Sequence, residues 1–162
     1  MLTLLVDNIR RPTPEDVDFM IENIRDEDIN EVRDYNGATI REVLLDTPDM
    51  DKNAWVWECK GQVRVIFGVN PIEEYNGVGI VWMLGTKSFD EHKAAFALVC
   101  RNVLYSMLDN YSYLFNYASA QNKKSLKWLK WLGFNVKQPE PIGINGAEFC
   151  RFEIWNKKCV IQ

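Results

Sequence analysis

The sequence is poor in residues that mark metal, redox and extracellular proteins. It holds one histidine and four cysteines in 162 residues, and no two cysteines have the C-x-x-C spacing of a zinc or redox site. His92 has too few partners for a Cys/His zinc set, so we expect no metal. Four cysteines would allow two disulfides, but without a secretion signal we expect free thiols in a reducing compartment.

Long apolar runs and an excess of basic charge are also missing. No run approaches the ~18 residues of a membrane span, and the apolar residues 2–6 are followed by Asp7 with no basic residue before them, unlike a signal peptide. The net charge is −4 and the pI is about 5.1. We therefore expect no membrane and no nucleic acid among the partners.

What is present is typical of one folded domain, which we assign to residues 1–162. Hydrophobic residues make up 47% and aromatic residues 12% of the chain, enough for a substantial core. Charge is uneven, because residues 1–50 carry 13 acidic and 5 basic side chains. The first third is therefore acidic, and the remainder is mildly basic.

Hydrophobic periodicity predicts an alternation of helices and strands. Apolar residues at helical spacing predict three helices before residue 46, and period-two patterns predict a meander of three strands after it. A crossover helix between the strands at 79–84 and 113–118 requires those strands to be parallel. We predict an α/β (or α+β) fold with a mixed, mostly antiparallel sheet. The predicted strands are 2–9, 54–59, 62–69, 79–84, 113–118, 134–136 and an edge hairpin at 148–155, and the predicted helices are 14–24, 26–35, 38–45, 88–108 and 122–132.

This element order resembles the GCN5-related N-acetyltransferase (GNAT) superfamily. Residues 122–134 look like the family's Asn-x-x-Ala…Leu-Gly-Phe signature, and residues 61–68 look like the hairpin before its cofactor strand. A narrower likeness, to the GNAT-like acyltransferase or internal virion proteins of tailed bacteriophages, rests on residues 82–86, 114–117 and 126–134. The resemblance implies acetyl-CoA as cofactor, and the narrower one implies virion or host proteins as partners and the host cytoplasm or the virion as location.

The family binds the cofactor diphosphate with a Gly-x-Gly loop after the cofactor strand, and this sequence lacks it. Residues 85–92 contain one glycine, and Ser88 to Glu91 match a capping box that would use the amides a diphosphate needs. Asp90 and Glu91 add negative charge at the same place. If the cofactor binds, the resemblance assigns it to Met83, Leu84, Gly85, Thr86, Lys87, Ser88 and Asn122.

No catalytic residue is identified. The family often places a proton-donating tyrosine four residues before the glycine of Leu-Gly-Phe, and here that residue is Leu129, which cannot transfer a proton. Tyr117 could substitute from the preceding strand, although packing on the sheet is its more ordinary role. Asn122 also fits a helix N-cap.

Lysines and tryptophans offer two further surfaces. Lys123, Lys124, Lys127 and Lys130 give helix 122–132 a basic face, which we interpret as solvated, with attraction to the acidic first third of another copy as an alternative. Most of the six tryptophans are expected in the core. The predicted function is an acetyl-CoA-dependent N-acyltransferase with a degenerate cofactor loop and weak or lost catalysis. The alternative is a non-enzymatic virion or assembly protein that uses this scaffold for binding.

Overall fold

The computed structural model describes residues 8–157, and within them the sheet and helices follow the predicted order. The strands are β1 (Ile9–Arg10), β2 (Ala54–Cys59), β3 (Gln62–Pro71), β4 (Val78–Gly85), β5 (Tyr113–Ser119), β6 (Asn135–Glu140) and β7 (Phe149–Trp155). The helices are α1 (Pro14–Asn23), α2 (Asp26–Asn36), α3 (Ile40–Asp46), α4 (Met50–Asn53), α5 (Lys93–Leu108) and α6 (Lys123–Leu132), with short 3₁₀ turns at Phe89–His92 and Ile144–Gly146. The predicted strand 2–9 lies mostly outside the described residues.

The seven strands form one mixed sheet in the order β1-β2-β3-β4-β5-β7-β6. Among the strands of residues 8–157, only β4 and β5 run parallel, and the crossover that joins them contains α5. This confirms the predicted fold class. The prediction of an edge hairpin at 148–155 is wrong, since β7 pairs with β5 on one side and β6 on the other. A strand bonded on both sides buries its backbone, and the edge falls to the polar strand β6.

Each face of the sheet carries its own apolar cluster. One cluster packs Trp55, Trp57 and Phe67 against Phe96 and the rest of α5 and α6. The other packs the opposite face of β2 and β3 against α1 and α3. The two tryptophans are 4% and 3% exposed, as their alternate positions on one strand predict. The expectation of a mostly buried tryptophan set has exceptions in Trp131 and Trp155, which are 46% and 53% exposed.

Three helix ends form by the local chemistry that the sequence indicates. Thr13 accepts from the Asp16 amide, and Asp16 accepts in return from the Thr13 amide, which is a capping box. The Asn122 side chain accepts from the Ser125 amide at 3.3 Å. Gly133 ends α6 with φ of 112°, a conformation that favours glycine.

The start of α5 differs from the prediction. Residues 89–92 form a 3₁₀ turn and the α-helix begins at Lys93, about one turn later than the predicted start at residue 88. The predicted Ser88–Glu91 capping box is wrong, because the Ser88 side chain makes no cap bond. Its hydroxyl instead accepts from the Arg64 guanidinium at 2.7 Å and contacts the Thr86 hydroxyl at 3.1 Å. A charged donor across the sheet outcompetes the local amide.

Candidate functional site

A slot opens in the middle of the sheet where the parallel pair β4/β5 separates. The two strands pair only over Val78–Ile80 and Tyr113–Phe115. Beyond those residues a cavity of about 320 Å³ lies between residues 81–84 and 116–118. We call this gap the slot. Residues of α2 line it on one face of the sheet, and Ser125, Trp128 and Leu129 of α6 line it on the other.

The geometry of the parallel ladder shows which hydrogen bonds the separation removes. Tyr113 N–H donates to Gly77 C=O at 3.1 Å, and in a parallel ladder such bonds repeat every two residues. The first bond missing from this series would run from Tyr117 N–H to Val81 C=O. After it would come Met83 N–H to Tyr117 C=O, Ser119 N–H to Met83 C=O, and Gly85 N–H to Ser119 C=O.

Asn116 takes the first missing position. Its side-chain Nδ2 donates to Val81 C=O at 2.7 Å, and its Oδ1 accepts from Tyr117 N–H at 2.8 Å. One side-chain amide therefore satisfies both backbone groups that would otherwise bond each other. The donor end meets a carbonyl and the acceptor end meets an N–H, so only one orientation of the amide fits.

Two carboxylates of α2 take the far end of the slot. Asp28 accepts from Gly85 N–H at 2.8 Å, and Glu31 accepts from Ser119 N–H. Ser119 C=O is also bonded, since it accepts from Asn122 N–H at 3.1 Å. Side chains thus satisfy the strand edges at both ends of the slot.

The peptide of Met83 is left open between these ends. The pairing of β4 with β3 directs the N–H and C=O of Val81, Met83 and Gly85 away from β3, because Thr86 N–H bonds Arg64 C=O and the ladder alternates from there. Within residues 8–157, the structure gives Met83 N–H, Met83 C=O and Tyr117 C=O no hydrogen-bond partner. These groups face the slot and could bond a ligand there.

Glu31 lines the slot and has a raised pKa. Its side chain is half-buried, and burial raises its pKa from 4.5 to about 7, helped by the nearby charge of Asp28 and opposed by the Ser119 hydrogen bond. One carboxylate oxygen accepts from Ser119, and the other has no hydrogen-bond partner among the described residues. A carboxylate with this pKa can accept a proton near neutral pH.

A buried ion pair joins α2 to the end of β4. Arg25 Nε and Nη2 both donate to Asp28 at 2.9 Å, and the two side chains are 8% and 4% exposed. Burial lowers the pKa of Arg25, but the hydrogen bonds and charge of Asp28 raise it by more, so the guanidinium stays charged. Gly85 must be small here, because a Cβ would lie 2.9 Å from Arg25 Nε.

The loop after β4 is tied to neighbouring backbone rather than presented to solvent. Lys87 N–H donates to Asn23 C=O and Thr86 N–H to Arg64 C=O, both at 2.9 Å. Arg25 N–H donates to Gly85 C=O at 3.0 Å. These bonds occupy the Thr86 and Lys87 amides, with acceptors on β3 and in the α1–α2 junction, whereas the prediction placed the occupied amides at Ser88 and Glu91.

Of the residues predicted to bind a cofactor, the structure brings only some to the cavities. Met83 and Leu84 line the slot, and Asn122 lines a neighbouring surface cavity of about 450 Å³. Thr86 is 2% exposed and bonds Arg64 C=O, while Lys87 is exposed. Gly85, Thr86, Lys87 and Ser88 do not line the slot. The assignment of all seven to a cofactor stays a prediction.

A second cavity, of about 260 Å³, adjoins the slot at the start of α5. Arg25, Met83, Ser125 and Trp128 line both cavities. Lys93 and Lys124 add two ammonium groups to the second. Asp90 lies beside these cations, 2.9 Å from Lys93 Nζ and 3.6 Å from Arg25 Nη1, and the Lys93 hydrogen bond lowers the pKa of Asp90.

The structure also locates other side chains that bear on proton transfer. Leu129 is 8% exposed at the slot wall and offers no proton. The Tyr117 hydroxyl accepts from Arg151 at 3.0 Å, and its ring stacks on Tyr35. The His92 ring lies beside Cys59, with 3.6 Å between Sγ and Nδ1, and burial raises the pKa of Cys100 to about 12.

Three slot residues escaped the sequence analysis, namely Arg25, Asp28 and Glu31. In the sequence they belong to a helix whose first turn is acidic, which is common in surface helices and does not indicate a functional site. The described part of the chain holds no group of three or more His, Cys, Asp or Glu side chains arranged to bind a metal. None of its helices is both long and apolar enough to span a membrane.

Together, the single parallel pair, the slot beside it and the flanking helices define the GNAT fold, which solved acetyltransferases share. A ribosomal-protein-alanine N-acetyltransferase from Brucella melitensis aligns with a TM-score of 0.68 at 15% identity, over 91% of this chain and 98% of that one. An acetyltransferase of the GNAT family from Streptococcus pneumoniae aligns with a TM-score of 0.62 at 12% identity, over 91% and 97%.

A third solved structure was determined with ligands. A spermidine N-acetyltransferase from Vibrio cholerae, in complex with CoA and spermine, aligns with a TM-score of 0.68 at 16% identity, over 94% of this chain and 96% of that one. No family model matches the sequence, and comparison with curated proteins finds no match. At these identities the likeness establishes the fold.

Proposed function

We propose that this protein binds acetyl-CoA in the slot and is an N-acyltransferase. The observation that carries the proposal is the open peptide of Met83, which lies between backbone groups already satisfied by Asn116 and by Asp28. The pantetheine arm of CoA contains secondary amides, and such an arm can bond Met83 N–H and C=O as a short substitute strand. The fold likeness to acetyltransferases supports the same ligand.

The cations at the start of α5 fit the diphosphate of this ligand. Lys93, Lys124 and Arg25 surround the second cavity, so side-chain charge can replace the loop amides that β3 and the α1–α2 junction already bond. Asp90 opposes such binding, because it holds Lys93 and faces Arg25. The grip on the diphosphate is therefore weaker than a free glycine-rich loop provides.

Glu31 is the general base of the proposed reaction. The thioester supplies an activated acetyl group; transfer forms a C–N bond to the acceptor amine, breaks the C–S bond and releases CoA with the bonding electrons. The amine must lose a proton in that step, and the second carboxylate oxygen of Glu31 accepts it on the α2 side of the slot. With a pKa of about 7 for this group, the rate rises as pH increases through neutrality.

Backbone NMR of the full chain, titrated with CoA, tests the ligand. CoA is expected to shift the Met83 amide resonance and slow its hydrogen exchange. Leu84 is the internal control, since its amide already bonds β3. Absence of any change at about 1 mM CoA, equivalent to less than about 4 kcal/mol of binding, contradicts the proposal.

A second candidate function is protein binding with weak or lost catalysis. The tied loop amides and Leu129 at the tyrosine position favour it. The partners would be virion or host proteins, as the sequence likeness to phage proteins implies. Mass spectrometry of purified virions tests this role, and absence from both virions and capsid precursors contradicts it.

A further inference from the structure

We propose that Asn116 is the positioning residue that holds the slot open; the inference rests on the proposed function for its ligand and on backbone geometry for the opening itself. Val81 C=O and Tyr117 N–H are the next acceptor and donor of the parallel ladder. Both bond the Asn116 side chain instead, at 2.7 and 2.8 Å. The amide stands between the strands at the point where pairing stops.

The consequence for Met83 follows from the ladder series. If Tyr117 N–H bonded Val81 C=O, the next bond in register would join Met83 N–H to Tyr117 C=O. These are two of the three slot groups that lack a partner within residues 8–157. Pairing at residue 81 would therefore remove the peptide that the proposed ligand uses.

The other end of the slot does not depend on Asn116. There, Asp28 and Glu31 hold Gly85 N–H and Ser119 N–H from α2. Loss of the Asn116 amide thus extends the β4/β5 ladder beyond residues 80 and 115 and leaves the end of the slot at Gly85 and Ser119 unchanged. We therefore expect substitution of Asn116 to change the pairing of β4 with β5 without unfolding this region.

Two substitutions at this position distinguish positioning from general stability. Asn116→Ala removes the side-chain amide and lets the strands pair directly, so the unfolding temperature is expected to stay equal or rise. Asn116→Asp keeps the acceptor for Tyr117 N–H but sets a carboxylate against Val81 C=O, which lowers stability and keeps the slot open. We therefore expect Asn116→Ala to be at least as stable as wild type, and Asn116→Asp to be less stable than wild type.

Ligand affinity should rank differently. In calorimetry with CoA, we expect binding weaker by about tenfold or more for Asn116→Ala, the loss of one or two hydrogen bonds to the Met83 peptide. Asn116→Asp should bind more tightly than the alanine variant although it is less stable. Asn156→Ala is the matched control, since Asn156 is also half-buried and donates to the Leu108 carbonyl at the far end of the sheet. It should leave CoA affinity unchanged.

Hydrogen exchange gives a readout that does not depend on CoA. The Tyr117 and Met83 amides should exchange more slowly in Asn116→Ala than in wild type. If wild type fails to bind CoA but these amides become protected, the proposed function is wrong and the role of Asn116 stands. Unchanged protection, or affinities that simply follow stability, would overturn the role of Asn116.

Discussion

Glu31 illustrates how one side chain can have both a structural and a chemical role. It accepts the Ser119 amide that the sheet leaves without a strand partner, and it does so in a place that disfavours its charge. The folded protein therefore binds the Glu31 proton more tightly than the unfolded chain does. Stability from this group is present below pH 4.5 and lost as pH rises through about 7.

Glu31→Gln removes this pH dependence while keeping an acceptor for Ser119 N–H. At pH 8 the variant should be more stable than wild type by up to about 3 kcal/mol, and the two should converge at pH 4. Urea unfolding at both pH values measures the difference. Glu22→Gln, an exposed change on α1, is the control and should have little effect. A Glu31→Gln variant that is less stable than wild type at pH 8 would mean that the charged form is favoured in the fold.

The same substitution tests the proposed base. If Glu31 accepts the amine proton, the wild-type dependence of kcat/KM on pH should show an inflection near 7, and Glu31→Gln should lose both that inflection and about 10²-fold or more in rate. Rates with acetyl-CoA and a primary amine provide the measurement. An unchanged profile would assign the base to another group.

Which residues could be predicted depends on how far apart their partners lie in sequence. The Asn122 cap, which the sequence predicted, and the Gly133 terminus both involve neighbours within a few positions. Asp28 and Gly85 are 57 residues apart, and Glu31 and Ser119 are 88 apart. No local pattern indicates such pairs. Asn116 and Val81 are 35 residues apart and meet only because β4 and β5 are neighbours in the sheet.

At the scale of elements, the α1–α2 junction and the loop after β4 behave as one unit. Arg25 and Asp28 bond each other, and each also bonds Gly85. Arg25→Met should lower the free energy of unfolding by about 3 kcal/mol, because it leaves the Asp28 charge buried without its partner. Arg33→Met removes an exposed pair with Asp34 and should cost less than about 1 kcal/mol. Equal losses of unfolding free energy for the two variants in chemical denaturation would contradict a stabilising role for the buried Arg25–Asp28 pair.

The start of α5 should control affinity for a diphosphate. Asp90→Asn releases Lys93 and Arg25 from a competing carboxylate, so CoA should bind about three- to tenfold more tightly at low salt. Glu91→Gln is the matched control, since it removes one charge from an exposed neighbour with no ion pair among the described residues. Calorimetry at two salt concentrations checks both. Equal effects would indicate net charge alone, and no effect would place the diphosphate elsewhere.

The predicted element boundaries were wrong where tertiary contacts override local sequence preference. Ser88 and Glu91 have the spacing of a capping box, yet Arg64 binds the Ser88 hydroxyl and the first turn becomes 3₁₀. The strand 148–155 looked like an edge, yet pairing on both sides buries it between β5 and β6. Local sequence identified these elements, and the sheet decided their ends and neighbours.

At the scale of the molecule, the sheet consists of two parts joined by a short parallel ladder. Strands β1 to β4 pair with one another in order, as do β5, β7 and β6, and within residues 8–157 the backbone ladder between the two groups covers only residues 78–80 and 113–115. Helix α5 and the core beneath it hold the parts together on one face. A ligand in the slot would add hydrogen bonds across this junction.

Ligand binding should therefore stabilise the whole chain as one unit, which also tests the assignment of residues 1–162 to a single domain. CoA at 100 times its dissociation constant should add about 2.7 kcal/mol to the free energy of unfolding. Two of the six tryptophans, Trp82 and Trp128, line the slot, so part of the tryptophan fluorescence comes from the junction, whereas far-ultraviolet circular dichroism reports all the helices. Both signals should give the same midpoint without CoA and the same higher midpoint with it. A shift confined to fluorescence would mean that CoA stabilises the junction while the two parts of the sheet unfold separately.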